Sequence, residues 1–145
     1  MRALLDINVL IALFDADHIF NERAHLWLEA QAGAGIATCP LTENGVIRIL
    51  SNPNYSKKVR LTPPEVIRRL AAFTRNQAHR LIDDTIRLTD QNVFNSRHIL
   101  GSKQITDIYL LALAVKHGVR LATFDANIPL EAVNGATEGN LDILK

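Results

Sequence analysis

The chain has 145 residues, of which 48% are hydrophobic and 21% are charged, as is typical of a soluble globular protein. This length suffices for a buried core, and we predict one domain over residues 1–145. The only cysteine, Cys39, excludes an internal disulfide, and the first apolar run lacks the length and flanks of a signal peptide or membrane span. We therefore expect a cytoplasmic protein.

The net charge of +1 conceals an uneven distribution along the chain. Residues 48–103, which we call the basic segment, contain 11 Lys and Arg against 4 Asp and Glu, a balance of +7. The rest of the chain contains 5 against 11, a balance of −6. A basic segment can contact nucleic-acid phosphates, but a set of solvated helix faces would give the same counts. Charge alone leaves both interpretations open.

Short apolar runs alternate with amphipathic stretches along the sequence. In chain order, the predicted elements are a strand at residues 3–5, helices at 9–14 and 22–32, a strand at 36–39, helices at 43–50 and 63–77, a strand at 79–82, helices at 91–100 and 107–117, and strands at 119–124 and 141–144. This alternation predicts an α/β fold, in which a mainly parallel central sheet is flanked by helices.

Polar residues in front of the predicted helices indicate where these helices begin. Asn8, Thr42 and Thr106 are predicted N-caps, and Thr62 forms a capping box with Glu65. The helix that follows Thr106 is apolar almost all the way round, which predicts that it lies in the middle of the domain.

Four acidic residues occupy equivalent positions in this predicted fold. Asp6 and Asp125 follow strands, whereas Glu43 and Asp107 lie in the first turns of helices. In a parallel sheet the ligand site lies outside the carboxyl ends of the strands, so we expect these four side chains to share one site. For Asp107 taken alone, a purely structural role at its helix N-terminus is the alternative.

Clustered carboxylates require a compensating cation. Two of them about 4 Å apart repel by roughly 4 kcal/mol at an effective dielectric constant near 20, and no Lys or Arg adjoins Asp6, Glu43 or Asp125 in the sequence. Carboxylates without a Cys or His cluster favour Mg²⁺ or Mn²⁺ over zinc and suit metal-assisted attack on a phosphodiester. The histidines, His79 among them, lack metal-ligand spacing and receive no role in this chemistry.

Four segments resemble successive motifs of PIN-domain proteins, and most closely those of VapC-type toxins of bacterial toxin–antitoxin pairs. The segments are LLDINVL at residues 4–10, TENGVIRIL at 42–50, QITDIYLLALA at 104–114 and ATFD at 122–125. The resemblance extends over nearly the whole chain. It implies a PIN-like fold and a metal-dependent endoribonuclease that hydrolyses RNA, is inhibited by a small cognate antitoxin and often forms a homodimer.

The resemblance also implies roles for particular residues. The positions that match the motifs of the catalytic and metal-binding site are Asp6, Glu43, Asp107 and Asp125. Asp6 and Asp107 would be the firmest ligands of Mg²⁺ or Mn²⁺. Glu43 and Asp125 would bind a second metal, bind through water or orient the attacking water. The RNA substrate, with tRNA and rRNA among the candidates, does not carry over.

Two further positions, Asn8 and Thr123, resemble residues that support the acidic site in this family. Two other α/β classes fit less well: a phosphate-accepting signalling domain needs a basic residue near residues 122–125, and a haloacid-type phosphatase has an aspartate at the position of Asn8. A non-catalytic RNA- or protein-binding α/β module and a stand-alone PIN nuclease without an antitoxin are the alternatives that stay open.

Overall fold

The computed structural model describes residues 1–58 and 60–145, and within them five parallel strands form one central sheet. The strands are β1 (Ala3–Leu5), β2 (Ile36–Thr38), β3 (His79–Leu81), β4 (Arg120–Thr123) and β5 (Leu141–Ile143). Their order across the sheet is β3-β2-β1-β4-β5, and every neighbouring pair is parallel. The predicted α/β fold is confirmed. Position 59, inside the basic segment, lies outside the described residues.

Helices cover both faces of this sheet. They are α1 (Ile7–Phe14), α2 (Asn21–Gln31), α3 (Pro40–Leu50), α4 (Pro63–Arg75) and α5 (Ile105–His117). Successive strand side chains point to opposite faces: Ala3 and Leu5 pack with α1 to α4, whereas Leu4 packs with α5. The side chains of Ile108 and of residues 110–114 are buried, so almost the whole circumference of α5 is covered by protein, as its apolar sequence predicts. No helix in the described part of the chain is long and apolar enough to cross a membrane.

The direction in which the chain adds strands reverses beside β1. From β1 the chain proceeds to β2 and β3 on one side, and it then returns to add β4 and β5 on the other. In parallel sheets such a reversal opens a crevice at the carboxyl ends of the two strands that flank it, and ligands bind there. Here those strands are β1 and β4.

Three of the predicted helix caps, Asn8, Thr42 and Thr106, are wrong because their helices begin earlier in the chain. The N-cap of α1 is Asp6, whose Oδ1 accepts a hydrogen bond from the backbone N–H of Ile7 at 2.7 Å, and Asn8 lies inside the helix. In α5 a 3₁₀ turn leads directly into the helix, so the N-cap is Gln104, and Thr106 lies in the first turn.

The start of α3 also differs from the prediction. Its N-cap is Cys39 rather than Thr42, and Thr42 instead accepts a hydrogen bond from the backbone N–H of Cys39 at 3.0 Å. A residue distant in sequence completes the start of this helix: Asp84 Oδ2 accepts a hydrogen bond from the backbone N–H of Leu41 at 3.0 Å. The consequence for the site is that Glu43 stays in the first turn.

The predicted helix over residues 91–100 is wrong. This segment is held against a later part of the chain: Phe94 forms an antiparallel bridge with Val133, and the backbone N–H of Asn95 donates to the carbonyl of Ala132 at 2.9 Å. A single 3₁₀ turn forms within the segment. Tertiary pairing therefore satisfies backbone groups that a helix would have bonded internally.

Candidate active site

Asp6 lies at the carboxyl end of β1 and is almost fully buried, with 3% of its surface exposed. Besides the bond from Ile7 to Oδ1, its Oδ2 accepts a hydrogen bond from Thr123 Oγ1 at 2.6 Å. Thr123 is the last residue of β4, the strand that pairs with β1, and it is wholly buried. The pairing of β1 with β4 thus brings the carboxylate of Asp6 into contact with a hydroxyl that lies 117 residues later in the sequence.

Two more acids meet Asp6 at this crevice. The backbone N–H of Asp125 donates to Thr123 Oγ1 at 3.1 Å, which holds this residue, two positions after the end of β4, close to the same hydroxyl. The carboxyl of Asp107, in the first turn of α5, interacts electrostatically with the carboxyls of Asp6 and Asp125. We call Asp6, Asp107 and Asp125 the acidic trio. The structure therefore brings three of the four predicted acids together.

The acidic trio does not carry three negative charges easily. Burial, followed by the nearby charge of Asp6 and the hydrogen bond with Asp125, raises the pKa of Asp107 from 3.8 to about 7. Burial also raises the pKa of Asp6, although the hydrogen bonds from Thr123 and Ile7 oppose this rise. Near neutral pH the trio therefore favours a bound proton or a cation that compensates its charge.

The fourth predicted acid, Glu43, has different neighbours. Its Oε2 accepts a hydrogen bond from Thr38 Oγ1 at 2.7 Å, and the same hydroxyl lies 2.7 Å from His79 Nε2. None of these partners is shared with the hydrogen bonds that Asp6 and Asp125 make with Thr123. Glu43 is therefore held by a separate set of contacts.

Sequence reasoning did not identify Thr38 or His79. These residues are 41 positions apart and lie on β2 and β3. His79 was considered only as a metal ligand, and no spacing in the sequence indicates a contact with Thr38. The pairing of β2 with β3, which aligns Ile36 with His79, is the information that was lacking.

The donor chemistry of the trio fits a hard divalent cation. In the part of the chain that the structure describes, no group of three His, Cys, Asp or Glu side chains already has an arrangement that could hold a metal. The carboxylate of Asp6, however, accepts hydrogen bonds from Ile7 and Thr123 among the described residues, and a carboxylate can accept about four in all. In addition, Asn8 Oδ1 is buried and has no hydrogen-bond partner among the described residues. Carboxylate and amide oxygens of this kind are ligands that Mg²⁺, Mn²⁺ and Ca²⁺ accept.

Comparison with known proteins agrees with this architecture. Residues 3–134 match the model of the PIN domain family. Among curated proteins, ribonuclease VapC44 of Mycobacterium tuberculosis is 43% identical over 144 residues, which cover 99% of this chain and 100% of the relative. Ribonuclease VapC38 of the same species is 41% identical over 126 residues, with 87% and 86% of the two chains covered.

A solved structure gives the same picture at the level of the fold. The crystal structure of Mycobacterium tuberculosis VapC20, described as a toxin that cleaves the sarcin-ricin loop, matches with a TM-score of 0.61 at 16% identity and covers 90% of this chain and 98% of that one. A toxin–antitoxin complex from Klebsiella pneumoniae matches with a TM-score of 0.59 at 21% identity, covering 97% and 95%. At these identities the likeness establishes the fold.

Proposed function

We propose, from the premise that this chain belongs to the PIN-domain family and to its VapC-type members, that it is a ribonuclease toxin whose acidic trio, with Glu43, hydrolyses RNA phosphodiester bonds. The observation that carries the proposal is the convergence of Asp6 and Asp125 on one threonine hydroxyl at the carboxyl ends of β1 and β4, with the carboxyl of Asp107 close enough to interact with both. A group of acids that resists full ionisation is costly to the fold unless it serves a cation or a proton transfer.

In this proposal each acid has a distinct task. Asp6 and Asp107 would hold Mg²⁺ or Mn²⁺, and the bond from Thr123 would keep Asp6 in one rotamer. The cation would polarise the phosphate and activate water. Asp125 and Glu43 would orient that water, or bind a second cation through water. Without a cation the trio would repel the phosphate, so we expect RNA binding at this edge to require one.

The proposal is tested by incubating the protein with tRNA and rRNA fragments, with and without Mg²⁺ or Mn²⁺. We expect cleavage only with the cation, and we expect Asp6→Asn and Asp107→Asn to slow it by about 100-fold, the scale of losing one electrostatic stabiliser. Asp83→Asn, which removes an exposed acid outside the site, serves as the matched control. If both site variants cut as fast as the wild type, the nuclease assignment is wrong.

Binding of the cation has a readout that needs no RNA. Mn²⁺ should raise the melting temperature because it binds the folded state in preference to the unfolded chain. The rise should be smaller in Asp107→Asn and unchanged in Asp83→Asn. A non-catalytic RNA-binding module would bind RNA but show neither cleavage nor this dependence on Asp107.

An inhibitory partner protein also belongs to this proposal. Relatives of the chain include a toxin–antitoxin complex, and the VapC-type members to which the chain belongs support a cognate antitoxin here. Co-expression with the product of a short adjacent reading frame should yield a complex that does not cut RNA. A homodimer is the expected oligomer, which light scattering would detect as a species of twice the 16.1 kDa chain mass. Cytoplasmic location stays a prediction.

A further inference from the structure

A short chain of hydrogen bonds connects Glu43 to the edge of the sheet. Thr38 Oγ1 lies 2.7 Å from Glu43 Oε2 on one side and 2.7 Å from His79 Nε2 on the other. Thr38 is wholly buried and His79 is half-buried, so little solvent competes for these two contacts. The first distance is typical of an O–H···O hydrogen bond, and the second is at the short end of the range for N–H···O hydrogen bonds.

The single proton of the threonine hydroxyl fixes the direction of this chain. Thr38 donates this proton to Glu43 Oε2, which accepts it. The hydroxyl oxygen can then only accept from His79, and His79 Nε2 must therefore carry a proton. The direction is from His79 Nε2–H to Thr38 Oγ1–H and on to Glu43 Oε2.

The backbone around His79 is fixed by an arginine from the start of the chain. Arg2 Nη1 donates to the carbonyl oxygens of Ile36 at 2.8 Å and of Ala78 at 2.7 Å. Ile36 is the β2 residue aligned with His79, and Ala78 immediately precedes it. Arg2 thus connects β2 to the residue before β3 and holds the backbone next to His79, which limits the positions that the imidazole can adopt.

The same surroundings favour the neutral imidazole. Burial lowers the pKa of His79, the carboxylate of Glu43 opposes this effect, and the positive charge of Arg2 adds to the lowering. A neutral ring has one N–H, and the hydrogen bond to Thr38 determines that it is on Nε2.

We propose that His79 is a positioning residue for Glu43 and acts on it through the hydroxyl of Thr38. This inference rests on the proposed function, in which Glu43 belongs to the hydrolytic site. The hydrogen bond holds Oε2 in place, whereas Oε1 receives no hydrogen bond from any residue that the structure describes. The oxygen left for water or a cation is therefore always the same one, and it is presented in a fixed orientation.

A double-mutant cycle measured on kcat distinguishes this positioning role from a purely structural role of His79 in the pairing of β2 with β3. We expect His79→Phe and Thr38→Val each to lower kcat by about 10- to 100-fold, as for partners that orient metal-site ligands, with the KM for RNA nearly unchanged. Because His79 acts through Thr38, the double variant should be no slower than Thr38→Val alone. His79→Gln, which keeps an N–H donor, should recover part of the rate, and His98→Phe, at an exposed position, should match the wild type.

Two readouts do not depend on RNA cleavage. A ¹H–¹⁵N spectrum of the imidazoles should show His79 as the Nε2–H tautomer, and Thr38→Val should shift its Nε2 resonance. His79→Phe should also weaken the rise in melting temperature on adding Mn²⁺. An Nδ1–H tautomer, or rate losses that multiply in the double variant, would overturn the inference. Absence of cleavage by the wild type would instead overturn the proposed function, and the spectrum and the Mn²⁺ response would then decide this inference.

Discussion

At the scale of single residues, the most informative group is the carboxyl of Asp107. Its position at the positive end of a helix would by itself favour the ionised form. Burial and the neighbouring carboxyls of Asp6 and Asp125 outweigh that effect and raise its pKa to about 7. Keeping this carboxyl in its buried position therefore lowers the free energy of unfolding at neutral pH.

This cost predicts how stability depends on pH. The folded protein holds the proton of Asp107 up to about pH 7, whereas the unfolded chain releases it near 3.8. The folded state thus binds more protons between these values, and the free energy of unfolding must fall as pH rises through this range. About three pKa units correspond to roughly 4 kcal/mol, which solvent screening of a half-buried group reduces to about 1–2 kcal/mol.

Chemical denaturation in EDTA at several pH values measures this effect. The free energy of unfolding of the wild type should decrease between about pH 5 and pH 8, and Asp107→Asn should flatten the curve and be the more stable protein at pH 8. Asp83→Asn should keep the wild-type slope. The same slope in Asp107→Asn would mean that its carboxyl is not the group that titrates.

The sequence was sufficient to predict the acids of the site but not the residues that support them. Asp6 and Asp125 follow apolar runs, and Asp107 begins an apolar helix, so local pattern was enough to predict their shared edge of the sheet. His79 has no such mark. Its contact with Thr38 depends on which strands are neighbours and in which register, and neither is encoded locally.

At the scale of elements, the contact between α1 and α3 controls the spacing of the site. A Cβ atom added at Gly45 would lie 2.5 Å from Ile7 Cδ1 and 2.9 Å from Ile7 Cγ1, so a larger residue there requires the Ile7 side chain or the helices to shift. Ile7 adjoins Asp6, and Gly45 is two residues after Glu43. The packing of these helices therefore sets the distance between the trio and Glu43.

Gly45→Ala should accordingly impair catalysis more than folding. Overpacking costs about 1–3 kcal/mol, and the better helix propensity of alanine returns up to about 1 kcal/mol, so we expect a net loss of about 1 kcal/mol with a larger fall in kcat. Ile7→Val removes the nearest atom and should restore part of both. Gly101→Ala is the control because nothing lies within 4 Å of its added Cβ. Wild-type kcat in Gly45→Ala would refute this role.

Helix boundaries were predicted where their determinants are local. The capping box of Thr62 and Glu65 is confirmed, since both partners lie in one turn. The caps of α1, α3 and α5 were missed because adjoining turns, strand ends or distant side chains determine where those helices start. The helix predicted over residues 91–100 is wrong for a related reason, because the backbone there pairs with residues about 40 positions later.

At the scale of the whole molecule, charge is distributed unevenly along the chain. The exposed arginines of α4, among them Arg68 and Arg75, belong to the basic segment, and α4 packs against α3, the helix that carries Glu43. Cationic side chains thus lie on the helix next to the one that carries Glu43, and an RNA backbone could contact them.

The salt dependence of RNA affinity tests this arrangement. Binding should be measured in Asp107→Asn to prevent cleavage, and its slope on a plot of log affinity against log salt should lose about 0.7 for each phosphate contact removed from a single strand. Arg68→Gln and Arg75→Gln should each reduce the slope, whereas Lys145→Gln, outside the basic segment, should not. Unchanged slopes in all three would assign the phosphate contacts elsewhere.

The hydrogen bond between Thr123 and Asp6 also determines when, during protein synthesis, the site can form. A ribosome that has made the first strand still has to add 117 residues before the hydroxyl partner of Asp6 exists, which at normal elongation rates takes on the order of ten seconds. Nascent chains and premature termination products that end before β4 lack Thr123 and Asp125 altogether. On the proposed function, a nascent chain therefore gains its complete acidic site only when its own translation is nearly finished.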